Sequence, residues 1–181
     1  ADPNVIAVGA VWDSDRGGPW SYGSSGIDQT TGTDRIASFS QRDAELLDTF
    51  APGSLIAGAN AFGGTATMRG TSQAVPYVTG AAVLAQHVAQ AQLGRRLTVD
   101  EFRRLLRDTG TRIVDGDDED DNVANTGGDF RRLNVPALVA GVLDVAPGAA
   151  LPLPLPAPAG NQRIGSLNGR PFVYSIDLAP G

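Results

Sequence analysis

The sequence has no cysteine and no lysine, and only one histidine and one methionine among its 181 residues. The absence of cysteine excludes disulfides and thiol catalysis. It leaves the compartment open, because disulfide-free secreted proteins are common. With lysine missing, all 14 basic residues are arginine; together with the many Ala, Gly and Pro, this points to compositional bias more than to function. Acidic residues outnumber basic ones, giving a net charge of −6 and a pI near 4.6. Nucleic acid is therefore not an expected partner. No run is long and apolar enough to span a membrane, and no signal-peptide pattern is present. The opening Ala1-Asp2-Pro3, without Met, reads as an internal piece of a longer polypeptide. What remains is ordinary for a globular domain with an appendage: 41% hydrophobic and 19% charged residues.

Val5 to Val11 is a β-branched run without polar alternation, which predicts a strand covered on both faces. A loop rich in Gly, Ser, Asp and Thr follows from Trp12 to Thr33 and holds Trp12, Trp20 and Tyr22. Those aromatics either shape a substrate or partner surface or pin the loop to the body. Arg35–Ser40 is a second extended candidate. Leu46–Phe50 predicts a strand stopped by the Ala51-Pro52-Gly53 turn. Leu55–Ala57 is a candidate continuation of the sheet, broken by Gly63-Gly64. Ser72 to about Leu93 predicts a long helix, apolar around most of its circumference and hence buried, with Gly94 as its cap. Thr98 and Glu101 form a capping box. That second helix turns Phe102, Leu105 and Leu106 inward, and Arg103, Arg104 and Arg107 outward. Asn134–Leu143 predicts a short last helix. A Pro/Ala-rich spacer spans 145–161, and Asn168-Gly169 marks a hairpin. The division expected is 1–144, a linker at 145–161, and a β module at 162–181 that is cut short.

The segment Gly70-Thr71-Ser72-Gln73-Ala74-Val75-Pro76 carries the chemistry. A tight glycine turn delivers a serine onto the first turn of the long helix. Such an end offers unpaired N–H groups and partial positive charge, both useful to an oxyanion forming beside Ser72. This pattern resembles the nucleophile segment of the subtilisin-like serine proteases, Gly-Thr-Ser-x-Ala-x-Pro, and matches every fixed position. Val5–Val11, Ser38-Phe39-Ser40 and Ala51-Pro52-Gly53 resemble further landmarks in the family's order, so the resemblance covers about residues 4 to 143. Gln73 departs from the frequent Met, and Tyr77 from the frequent His.

The resemblance implies an α/β domain with a partial doubly wound, mostly parallel sheet. It also implies peptide-bond hydrolysis by a Ser-His-Asp triad, on polypeptide substrates, in a secreted or cell-surface protein. Ser72 is the expected nucleophile. Gly70 keeps the scissile bond uncrowded, Thr71 is an oxyanion donor beside the Ser72 N–H, and the triad's Asp and His and the oxyanion Asn are expected from a preceding segment, since the family's chain order is Asp, His, Ser. His87 lies fifteen residues beyond Ser72 on the same helix, roughly 22 Å away at the helical rise. A base must come within about 3 Å, so His87 is excluded and the chain alone is expected to be inactive. The competing reading is a non-catalytic, subtilase-like binding or scaffold module. An α/β-hydrolase elbow is discarded, since Ala74 stands where that motif needs Gly.

A structural Ca²⁺ is the one cofactor considered. Asp115, Asp117 and Glu119 have the alternation of a calcium loop, but Asp120 and Thr126 stand where the template needs Gly and Glu. A solvated acidic loop is the preferred reading. Asp48, ahead of the Ala-Pro-Gly turn, stands where the resemblance puts a weak cation in some members.

Overall fold

The apolar run at 5–11 yields a strand, β1 (Val8–Val11), in the computed structural model of the protein, which describes residues 2–144 and the strands 162–167 and 170–175. The elements then run β2 (Trp20–Ser21), β3 (Ile27–Asp28), β4 (Thr49–Pro52), β5 (Ile56–Ala59), β6 (Thr65–Met68), α1 (Thr71–Leu93), α2 (Val99–Thr109), β7 (Thr111–Val114), β8 (Asp129–Arg132) and α3 (Val135–Asp144). Last come β9 (Gln162–Leu167) and β10 (Arg170–Ser175). The principal sheet has the order β1-β4-β8-β7. β1 and β4 pair in parallel, as do β4 and β8, while β7 and β8 are antiparallel. The result is a mixed α/β fold with a mostly parallel sheet.

Several extended pieces differ from expectation. Arg35–Ser40 forms no strand. It lies along the free edge of β1, with Ala37 N–H donating to the Ala10 carbonyl at 3.0 Å and Trp12 N–H to that of Arg35 at 2.9 Å. Residues 55–57 do not continue the main sheet. They belong to a separate hairpin of β5 and β6, because Gly63 and Gly64, both at positive φ, turn the chain back on itself. β7 and β8 were not anticipated: their arginines and Asp129 hide the apolar alternation that Ile113 and Phe130 supply.

α1 follows its predicted range, and Gly94 caps it in the left-handed conformation at φ 69°. One face is made of small residues: Ala74, Val78, Ala81, Ala85 and Ala89 are buried against β1, β4 and α3. Val75, Tyr77, Val83 and Leu84 on other faces are exposed among the described residues, Val83 by 66%. α2 carries the predicted capping box: Thr98 Oγ accepts from Glu101 N–H, and the Glu101 carboxylate accepts from Thr98 N–H. Bidentate pairing with Arg95 holds Glu101 down at about 2. Asn134 starts α3, its side chain accepting from Ala137 N–H at 3.1 Å.

The loop at 12–33 is pinned by its aromatics. Trp12 is fully buried and donates its indole N–H to Asp28 at 3.1 Å, while Tyr22 stacks edge-on against Phe39 at 4.7 Å. The acidic run is only partly solvated. Asp115 is buried, and the buried Arg42 guanidinium pairs with both Asp115 and Asp121. β9 and β10 pair antiparallel around the predicted Asn168-Gly169 turn. That turn and the linker at 145–161 lie outside the described residues.

Candidate active site

Two backbone hydrogen bonds build the turn that presents Ser72. Gly53, just past β4, donates its N–H to the Val11 carbonyl at the end of β1 (3.0 Å). Its own carbonyl accepts from Gly70 N–H at 2.8 Å. The turn is thus fastened to the carboxyl ends of two parallel strands. Gly53 leaves no room for a side chain: a Cβ there would meet Ala10 Cβ at 2.6 Å and the Gly70 carbonyl oxygen at 2.9 Å. Gly70 caps α1 at φ 140° and ψ 162°, a region essentially restricted to glycine. A Cβ on Gly70 would also stand 3.1 Å from Ser72 Oγ.

Ser72 therefore sits in the first turn of a 23-residue helix, exposed, with its hydroxyl donating to Gln73 Oε1 at 3.1 Å. The first four N–H groups of a helix have no intrahelical acceptor, and the helix dipole adds partial positive charge at the same end. Thr71 precedes it as the first helical residue. Four residues on, Pro76 has no N–H to give to the Ser72 carbonyl. The whole arrangement is an exposed hydroxyl on the first turn of a helix whose Gln73 N–H turns back to the Gly70 carbonyl at 3.0 Å.

A polar cluster of buried Asp28 and half-buried Tyr22 meets the chain at Arg69, just ahead of this turn. Asp28 accepts from the Trp12 indole at 3.1 Å and from Ser38 N–H at 3.0 Å, yet burial raises its pKa. The Tyr22 hydroxyl lies near Ser54 and Asp28 without a partner in bonding geometry, and burial pushes it up to about 12. Arg69, the residue before Gly70, places its guanidinium 4.6 Å above the Tyr22 ring, a cation–π contact of about 0.5–2 kcal/mol. Asp28 and Arg69 escaped sequence reasoning; only their nearness to the serine motif and the aromatic loop signals them.

The remaining candidates stand apart. His87 is exposed on α1, which runs without interruption from Thr71, so the helical rise keeps it roughly 22 Å from Ser72. Asp115 bonds Arg42 and Thr126 rather than facing Asp117 and Glu119. The carboxylates that converge are Asp117, Asp118 and Glu119, whose oxygens lie within 4.8 Å of one another. Asp118 is pushed up by burial and by its acidic neighbours. Both Glu119 oxygens already accept backbone N–H groups, from Ile36 and Gly116. Asp48 accepts from Arg103 and from Ala7 N–H.

The subtilase family model matches residues 2–131, and the chain belongs to that family. Over 80 residues it is 47% identical to subtilisin-like protease 3 of Trichophyton equinum and, equally, to that of Trichophyton tonsurans, covering 43% of this chain and 20% of each relative. Among solved structures it is similar to the patellamide maturation protease PatA, with 27% identity and a TM-score of 0.51 over 82% of this chain and 45% of that one. The prenylagaramide maturation protease PagA gives 26% and 0.52 over 78% and 43%. The chain thus spans about a fifth of the curated relatives it matches and less than half of these structures.

Proposed function

We propose that the chain is the C-terminal part of the catalytic domain of a serine endopeptidase and that Ser72 is its nucleophile. The observation that carries this reading is the exposed Ser72 hydroxyl at the start of α1, on a turn fastened to β1 and β4 through Gly53. In the reaction, Ser72 Oγ attacks the scissile carbonyl as its proton passes to a histidine base. The tetrahedral oxyanion takes the Ser72 N–H and the Thr71 hydroxyl, and Gly70 leaves the approach open. His, Asp and the oxyanion Asn come from a segment ahead of Ala1, a reading supported by the remoteness of His87, the only histidine. Residues 1–144 form the catalytic part, 145–161 a linker, and 162–181 the start of a β module. The family relationship supports polypeptide substrates and a secreted or cell-surface setting.

The test is fluorophosphonate labelling of the chain, alone and mixed with the preceding segment of its parent polypeptide, followed by mass spectrometry and a peptide-hydrolysis assay. Labelling of Ser72 and hydrolysis only in the mixture are expected. Absence of both from a mixture that demonstrably associates overturns the reading and leaves a binding module.

A further inference from the structure

The side chain of Arg103 leaves the solvent face of α2 and closes on a ring of oxygens. Its Nε donates to Asp48 Oδ1 at 2.9 Å. Nη2 donates to the Pro3 carbonyl at 3.1 Å and to the Val5 carbonyl at 2.8 Å. Nη1 donates to Asp100 Oδ1 at 2.8 Å. Four of the five N–H groups of the guanidinium are used. The side chains of Arg103 and Asp48 are only 14% and 15% exposed, and Asp48 Oδ2 is held by Ala7 N–H at 3.0 Å.

One carboxylate and two backbone carbonyls converging from separate segments make a set of hard oxygen donors, the set that alkali and alkaline-earth cations take. Asp48 is also where the family resemblance puts a weakly held cation. The residues here do not fit a metal. The space between Asp48 Oδ1 and the carbonyls of Pro3 and Val5 is spanned by a fixed positive charge whose planar fork already uses those oxygens. We propose that the Arg103 guanidinium is a resident cation that takes the metal's place. The site joins the lead-in to β1, the residue preceding β4, and α2 without drawing on ions from solution. A covalently attached cation cannot dissociate, so its occupancy does not vary with salt or chelator, whereas the stabilisation from a bound ion grows with the logarithm of one plus its concentration over its dissociation constant. The proposal does not depend on the chemistry at Ser72.

The test is thermal unfolding of the full chain and of Arg103→Ala in choline, potassium and guanidinium chlorides, with guanidinium well below denaturing levels. Loss of the guanidinium leaves Asp48 partly buried without its charge partner. The expected drop in midpoint is about 10 °C in choline, with at least half regained in potassium or guanidinium. The wild type gains nothing specific, and Arg103→Ala combined with Asp48→Asn regains nothing. Equal responses of wild type and Arg103→Ala overturn the proposal. If Arg103→Ala does not fold, hydrogen exchange at the Ala7 amide of the wild type decides. Exchange unchanged by potassium is expected, and slowing by potassium shows that the ion, not the guanidinium, holds Asp48.

Discussion

Replacing Gly53 by alanine puts one methyl group where the two strands meet the serine turn. That methyl would stand 2.6 Å from Ala10 Cβ and 2.9 Å from the Gly70 carbonyl oxygen, against the roughly 3.5–4.0 Å of an unstrained contact. Neither neighbour is the end of a flexible side chain, so neither can rotate away. Relief comes by moving the Gly53 carbonyl off Gly70 N–H, which stretches the 2.8 Å bond that fastens the turn. Overpacking of this kind costs about 1–3 kcal/mol, and a weakened backbone hydrogen bond adds about 1 kcal/mol. At about 2–4 °C per kcal/mol for a domain of this size, the thermal midpoint falls by about 4–16 °C. Far-ultraviolet circular dichroism on heating reads this directly. Gly58→Ala is the control, because nothing lies within 4 Å of a Cβ at that position. A Gly53→Ala midpoint equal to that of the control refutes the assignment of Gly53 as the rigid seat of the turn.

Three further outcomes are expected. Arg42→Met strands the carboxylates of Asp115 and Asp121, whose side chains are 0% and 2% exposed, and should cost about 3–5 kcal/mol in urea unfolding; a loss below about 1 kcal/mol contradicts the buried triad. Asp28 binds its proton more tightly folded than unfolded, because burial raises its pKa. Its contribution is therefore greatest below the ordinary carboxylate value and declines as pH rises through the raised one. Asp28→Asn should gain on the wild type as pH rises above the ordinary carboxylate value, and parallel stability–pH curves argue against a raised pKa. Gly80 lies mid-helix in α1 with nothing within 4 Å of a Cβ, so Gly80→Ala should stabilise by about 0.5–1 kcal/mol; destabilisation reveals a contact on that face.

The elements legible in the sequence share a strong local signal. Gly94 ended α1 because a left-handed cap favours glycine, and Thr98 with Glu101 marked α2 because the two groups satisfy each other's N–H groups within four residues. The serine turn was legible for the same reason, as a short motif. What stayed hidden depends on partners far away in the chain. Arg103 has the polar periodicity of an outward residue, and only the approach of Asp48 and the carbonyls of Pro3 and Val5 draws it in. Asp115 reads as one member of a solvated acidic run until Arg42, 73 positions earlier, covers it. β7 and β8 carry too much charge to announce a strand, because one face of their antiparallel pair stays wet. The long helix showed an apolar circumference in sequence, but its small residues lie buried while Val83 and Leu84 stand exposed among the described residues.

The order of the principal sheet also governs how the chain emerges from the ribosome. β4 gains β1 at once, but its other neighbour is β8: Thr49 Oγ1 reaches the Arg131 carbonyl across 82 positions, and Leu133 N–H closes on the Phe50 carbonyl at 2.7 Å. At about 5–20 residues per second, that strand edge waits roughly 4–16 s for its partner. A nascent chain is therefore open to wrong pairing through this interval. β4 is only four residues long and ends in Pro52, which leaves a stray strand little to pair with.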